Sequence, residues 1–375
     1  MNIDDYSVVE RVKLPARLTL YKLAPAVFKG ATRESLASYF QRLADAHAIS
    51  PHLLAREVVT PLLGVARRQV SGIDDTWKTS YFHNIGTVAE NWSNALNQLT
   101  GHRKLQELTF LPLRGMVPTT LLTSLHRKWC PCCLGEDAKS GTPYGRLLWE
   151  VRAVEACPIH RVQLVSGCDC AGEASLHCSQ AKYLPNICER CGTDLGTQRK
   201  LLPAADSQII KAQLVHDFLD TPYSTTGLPV IKFSEFIWNA CQKHADGQYA
   251  PFAKMIGKSK SVVHGWLNEN RIPPFAEVVN LAYVLGCEVA DIFTGEMRRL
   301  LDIPRDCTPA QKRQQAQKLN IHAISAQLGR FAAETPCISV EEAARRIGVN
   351  KRTLYASFAE QAVIPPFLER AKSRG

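Results

Sequence analysis

No run of apolar residues in this 375-residue chain approaches the length needed to cross a bilayer. The stretch from Met1 to Leu20 is broken by Asp4, Asp5, Glu10, Arg11, Lys13 and Arg17, so it lacks the apolar core of an export signal. No membrane partner is expected, and a bacterial cytoplasm, close to the nucleoid, is the expected compartment. A phosphate-binding loop is missing as well. Gly257-Lys258-Ser259 ends like one, but Phe252 stands where the first glycine is required, and without it the backbone cannot form the nest of N–H groups. Neither a nucleophile elbow nor a metal site with open coordination positions is recognisable. No catalytic residue and no organic cofactor is therefore expected, and the enzyme classes (nuclease, transposase) find no support.

Positive charge and cysteine are in surplus. Lys and Arg number 45 against 35 Asp and Glu, a formal net charge of +10, which favours a polyanionic partner such as DNA because phosphate binding releases counterions. Of the 13 cysteines, most fall between Trp129 and Leu195. In a reducing compartment such clustering means metal and not disulfides. Cys130 and Cys133, two residues apart, can turn both thiolates onto one tetrahedral ion, and Cys157 with His160 repeats that geometry from another loop. Four ligands leave no position for water or substrate, so the expected occupant is structural Zn2+.

A second structural Zn2+ follows. Cys188 and Cys191, followed by Gly192, form a zinc knuckle in which glycine gives the turn its freedom. The expected other half is Cys168 and Cys170. Cys178 is an alternative to either, because Cys-x-Cys chelates one tetrahedral ion less comfortably than Cys-x-x-Cys, and His177 is a more distant one.

The rest of the chain reads as helix. Thr32 or Ser35 can cap a first helix carrying Leu36, Tyr39, Phe40 and Leu43 at helical spacing. Ser50-Pro51 starts another with Leu53, Leu54 and Val58, which Pro61 stops or kinks. Segments near Ala89 to Leu99 and Pro118 to His126 bring Trp92, Leu96 and Leu122 into a core. His47, His52, His83 and His102 lack ligand spacing and read as surface or hydrogen-bonded residues. Trp77, Tyr81, Phe82 and Trp92 read as core and not as a base-stacking platform. The fold class is mainly α and multidomain: an N-terminal helical domain with tandem zinc-binding motifs, followed by helix-turn-helix domains. Expected boundaries are 1–125, 126–202, 203–300 and 301–375, with Pro203 to Pro229, a helix carrying Ile209, Ile210, Leu214 and Phe218 and then a loop from Thr221 to Gly227, as a hinge.

In the third unit, helices are expected over Ile231 to His244, over Phe252 to Ile256, and from a Ser259 cap through Leu267. Val262 or Val263, with Trp266 and Leu267, would pack inward. Lys260, Ser261 and His264 would then face out, where a helix-turn-helix presents residues to the major groove, with Arg271 following in the loop. The Trp-Leu-x-x-x-Arg-x-Pro pattern at Trp266 to Pro273 resembles the phage-repressor type of this motif. A second candidate lies near the C-terminus, where Ser339 and Glu342 form a capping box and Asn350 can cap a helix presenting Lys351, Arg352 and Tyr355. Cys241, Cys287, Cys307 and Cys337 have no partner at metal spacing and read as small core residues.

Several of these features together resemble the TniQ family, the target-selection proteins of Tn7-like transposons, whose TnsD members are longer. The matching residues are Cys-Pro-x-Cys at 130 to 133, the Tyr144, Arg146 and Trp149 run, Cys-Pro-x-His at 157 to 160 with Leu164, and Cys-x-x-Cys-Gly at 188 to 192 with Leu195. Upstream, Pro25 and the run from Arg33 to Ala44 match the N-terminal signature. The run Arg352 to Phe358 resembles the C-terminal segment of longer members, with Ala359 where they often continue with proline. Cys168-Asp169-Cys170 departs from the family, which more often has a two-residue gap. The resemblance implies an adaptor that recognises a target DNA, or a CRISPR RNA-guided complex bound to it, and recruits an AAA+ ATPase regulator and a transposase. A homodimer is compatible with it. The competing class is a zinc-containing helix-turn-helix transcriptional regulator, which leaves the Arg33 to Ala44 signature unexplained.

Overall fold

The computed structural model describes residues 18–63, 80–124, 127–168, 170, 184–188, 191–197, 201–221, 232–269, 271–297 and 300–305. The chain divides in two after Asp306, and all described residues belong to the first unit. Within them the fold is helical, and β structure is limited to isolated bridges. No described helix is long and apolar enough to cross a membrane. The candidate at Asn350, Lys351, Arg352 and Tyr355 lies outside the described residues, as do Cys307 and Cys337.

The N-terminal helices run α1 (Leu36–Ala46), α2 (Pro51–Leu54), α3 (Ser80–His83) and α4 (Thr87–Thr100). Of the two candidate caps it is Ser35 that starts α1: its side chain accepts from Ser38 N–H. Leu36, Tyr39, Phe40 and Leu43 are fully buried with Trp92, Leu96 and Leu99 of α4, and Phe82 and Phe40 meet Trp92 edge-on. Phe82 and Trp92 are thus core residues. After α2 the helix widens over Ala55–Val59 and then tightens over Thr60–Leu63, so regular α geometry ends before Pro61, which has no N–H to continue it.

Two expectations fail here. Residues 118–124 form no helix: Leu121 sits at φ 56°, Leu122 O accepts from Arg152 N–H, and Thr123 pairs with Val151. Leu122 is nonetheless buried. The backbone there satisfies itself across the chain, which local periodicity does not reveal. His83 is the second case. His47 accepts from Tyr21 N–H at 3.0 Å and His102 Nε2 lies 2.8 Å from Leu23 O, but His83 is fully buried with neither ring nitrogen hydrogen-bonded. Its nearest charge is Glu150, at 3.6 Å.

Burial holds the His83 pKa below the usual histidine value, against the opposing pull of Glu150. The folded state thus favours neutral His83, and as pH falls below about 6.5 the unfolded chain takes up the proton first. Stability from this group is full above that pH and is lost as pH falls. Denaturant melts from about pH 7.5 to about pH 5.5 should show a steeper loss for the wild type than for His83→Gln. Parallel slopes would mean that His83 does not set this dependence.

Next come α5 (Pro131–Lys139) and α6 (Leu147–Glu150), which carry the cysteine module described below. The signature Arg33-Glu34-Ser35 is zipped to it. Ser35 N–H donates to Gly145 O at 2.8 Å, Leu147 N–H to Arg33 O at 2.9 Å, and Gly145 N–H to Ser38 Oγ at 2.8 Å. Glu34, fully buried, accepts from Ala26 N–H, Ser38 Oγ and Arg42 Nη1. A buried carboxylate is tolerated because these donors and the Arg42 charge replace water.

Helix α7 (Asp206–Asp220) opens the last described part: α8 (Phe233–Ala245), α9 (Tyr249–Met255), α10 (Lys260–Asn268), α11 (Phe275–Leu285) and α12 (Val289–Thr294). Phe218 of α7 packs on Phe275 and Phe293. The same helix is pinned to the N-terminal helices, because Arg33 Nη1 donates to Leu219 O at 2.8 Å and Asp220 Oδ1 accepts from Ala31 N–H at 3.1 Å. The expected hinge therefore contains a packed helix. Gly286 ends α11 at φ 72°, and an added Cβ would meet Leu301 at 2.2 Å, so only glycine admits that side chain. Cys241 and Cys287 are buried in this part.

Candidate metal centres

Trp129 pairs with Val165 and Ala156 with Gln163, which brings the Cys157 to His160 turn over the start of α5. Pro131 at the first turn is preset for helix, so Cys130 and Cys133 fall one turn apart on one side. The ligand atoms of Cys130, Cys133, Cys157 and His160 all lie within 4.8 Å of one another. Cys133 Sγ is 3.7 Å from Cys157 Sγ, and His160 Nδ1 is 3.6, 3.3 and 3.6 Å from the sulfurs of Cys130, Cys133 and Cys157. A tetrahedron with metal–sulfur bonds of about 2.3 Å has sulfur–sulfur edges of about 3.8 Å. The donor set therefore fits one tetrahedral ion. The three cysteines are buried and the histidine is half-buried.

The protonation pattern fits as well. Hydrogen bonds from Cys130 and Cys133 hold the Cys157 thiol down at about 2, while hydrogen bonding to Cys130 and Cys157 pushes the Cys133 thiol up. Three thiolates this close cannot all be charged without a cation among them, so metal binding would be accompanied by proton release.

The ligands are held in turn by residues that the cysteine spacing does not announce. His160 Nε2 lies 2.9 Å from Glu136 Oε1, so the imidazole is oriented with Nδ1 toward the cluster. Burial opposes protonation of His160, but the bonds to Glu136 and Cys157 outweigh it and raise its pKa. Glu136 stands one turn after Cys133 on α5, the signal that would have found it. One residue on, Asp137 binds Arg146 through two bonds of 2.8 and 3.0 Å, and Arg146 lies over the rings of Tyr144 at 4.6 Å and Trp149 at 4.9 Å. The Tyr144, Arg146 and Trp149 run is thus the clasp that fastens α5 to the signature segment. Glu136→Ala, on an exposed side chain, should weaken metal retention against a chelator by roughly 10-fold to 100-fold and leave the helix content unchanged. Retention equal to wild type would remove Glu136 from this role.

In the second cluster the ligand atoms of Cys168, Cys170, Cys188 and Cys191 also lie within 4.8 Å of one another. Cys168 and Cys191 are 3.7 Å apart, as are Cys170 and Cys188. The Cys-x-Cys pair thus converges with the knuckle despite its short gap. Cys178 and His177 lie outside the described residues. Gly192 sits at φ 72°, letting its N–H reach Cys188 O while Cys188 N–H reaches Thr193 O. Thr193 Oγ1 is 3.2 Å from Cys191 Sγ, and Asp194 braces the loop by accepting from Asn186 Nδ2 and Gly196 N–H.

Both clusters share one core. Trp129, Leu134, Trp149 and Leu195 are buried together with Cys130, Cys133, Cys157, Cys168 and Cys188. Cys132, in the midst of the first motif, belongs to neither cluster.

In the last part, α9 and α10 form the helix pair. Ser259 Oγ accepts from Val262 N–H, capping α10. Val263 and Trp266 are buried and Val262 is exposed, which settles the inward side. Lys260, Ser261, His264 and Arg271 are all exposed, the first three on the outer side of α10. Gly265 is buried against the Arg271 side chain, at 3.5 Å from an added Cβ.

Residues 25–164 match the TniQ family model. This stretch of the chain is a TniQ domain. The matched stretch holds the zipped signature and the whole first cluster, Cys130 to His160. The second cluster and the α9–α10 pair lie beyond it. No curated protein matched the chain. A TniQ domain ties the chain to transposition-associated target selection in general.

Proposed function

We propose that this TniQ protein selects the insertion site for a transposon by reading target DNA, and passes that choice to an AAA+ ATPase regulator that recruits the transposase. The observation that carries the reading is the placement of Lys260, Ser261 and His264 on the open side of a capped helix, downstream of a TniQ domain. Lysine and Arg271 would position the helix on phosphates, while Ser261 and His264 would reach base edges. Asn350, Lys351, Arg352 and Tyr355 would add a second contact. Both cysteine clusters hold structural Zn2+ on this reading, since closed four-ligand sites with three or four thiolates favour it. Divisions at 1–125, 126–202, 203–300 and 301–375 remain the proposed functional partition.

The formal surplus of +10 supports a nucleic-acid partner but is sequence-blind. Purified zinc-loaded protein should therefore be tested on a pool of genomic fragments at rising salt. Recovery of one sequence, lost with alanines at Lys260, Ser261 and His264, is the expected result. Binding that is weak, indifferent to sequence and abolished by salt would sink direct reading and favour docking on an RNA-guided complex. Repression of a nearby promoter without transposition would favour the transcriptional regulator.

A further inference from the structure

A cavity of about 570 Å³ opens where the N-terminal helices meet the end of α7. That is within the roughly 300–1,000 Å³ of ligand sites and accommodates a few side chains, not a folded element. Phe28, Pro112 and Leu113 supply apolar wall, and Arg33, Lys104 and Glu107 supply charge. Arg33 is only 9% exposed. Its Nη1 donates to Gly30 O at 3.1 Å and Leu219 O at 2.8 Å, but its Nε is buried with no hydrogen-bond partner. With Lys29, the wall holds three cations against the carboxylates of Glu107 and Asp220.

We propose that this cavity is a receptor site for a short extended segment of a partner protein, which brings an acidic side chain to Arg33 and Lys104 and apolar side chains to Phe28, Pro112 and Leu113. The mixed wall selects this ligand. Glu107 and Asp220 also line the cavity and would repel a phosphate chain, whereas peptide N–H groups can donate to them. A carboxylate complements the cationic side of the wall, Lys29, Arg33 and Lys104. The site borders both the TniQ domain and α7, so an occupant would touch both. It does not depend on how the protein finds DNA.

Random hexapeptides displayed on phage and panned on the full chain test this. Enriched sequences should combine an aspartate or glutamate with apolar neighbours. A synthetic copy should bind the chain at least tenfold more tightly than its amide analogue. Arg33→Ala would also release Leu219, so the decisive variants are Lys104→Ala and Thr221→Trp, both at exposed positions of the rim. Each should lower peptide affinity at least tenfold without changing the melting temperature. The proposal is overturned by failure to enrich any acidic sequence, or by peptides that bind Thr221→Trp as well as wild type. Displacement of the peptide by inorganic phosphate or duplex DNA at comparable concentration would also overturn it. Loss of DNA binding through α10 variants leaves these outcomes unchanged, so the two readings fail separately.

Discussion

Replacing Cys157 by serine should take the zinc-loaded protein from two ions per chain to fewer than one, and should unfold the cysteine module. Cys157 lies 3.7 Å from Cys133 and 3.6 Å from His160 at the centre of the first cluster. Structural zinc supplies an apparent 10–16 kcal/mol in small zinc modules, about as much as the roughly 5–15 kcal/mol that holds a whole domain folded. Without the ion, Cys130, Cys133 and His160 lose their common partner. Trp129 and Leu134 pack on both clusters, so the second ion should be held more weakly too. Native mass spectrometry gives the stoichiometry, and amide exchange at Leu134 and Leu195 reports the module. Protection equal to wild type in a metal-free Cys157→Ser protein would show that the core, not the ion, holds this part together.

Gly196→Ala should also destabilise the module, although glycine to alanine is among the mildest changes elsewhere. A Cβ at Gly196 would sit 2.6 Å from Gly135 N and 2.9 Å from Gly135 Cα, and α5 backbone cannot yield as a flexible side chain could. The expected loss is about 3 kcal/mol, the upper range for overpacking a core. The reverse change is a control. A Cβ at Gly135 would meet Gly196 O at 3.2 Å, a contact that relaxes by tenths of an ångström, so Gly135→Ala should cost less. Because this close approach joins the first cluster's helix to the tail of the second, Gly196→Ala should also speed zinc release from both sites. Chelator-driven release and denaturant melts measure the two effects. Equal costs for the two alanines would mean that the backbones separate more easily than this packing implies.

The two candidate clusters were legible because chelation fixes both residue type and spacing: Cys130, Cys133, Cys157 and His160 converge as their intervals require. Helix α10 was legible for a related reason, since a serine cap and one buried valine–tryptophan side define its register. What escaped was everything set by contacts between distant segments. The pairing of Ser35 with Gly145, the reach of Arg33 to Leu219 and the burial of His83 beside Glu150 have no local periodicity to announce them. Residues 118–124 misled for the same reason, because their backbone partners lie near Val151 and Arg152. Glu136 stands between these cases: one helical turn after Cys133 marks it in the sequence, and its 2.9 Å approach to His160 gives it a role.

Mapping insertions across a genome, with the proposed ATPase and transposase partners supplied, tests the proposed target selection most directly. Wild-type protein should focus insertions at one address, and alanines at Lys260, Ser261 and His264 should scatter or abolish them while both zinc ions are retained. An unchanged insertion map with that variant would contradict direct reading by α10 and leave the address to another component.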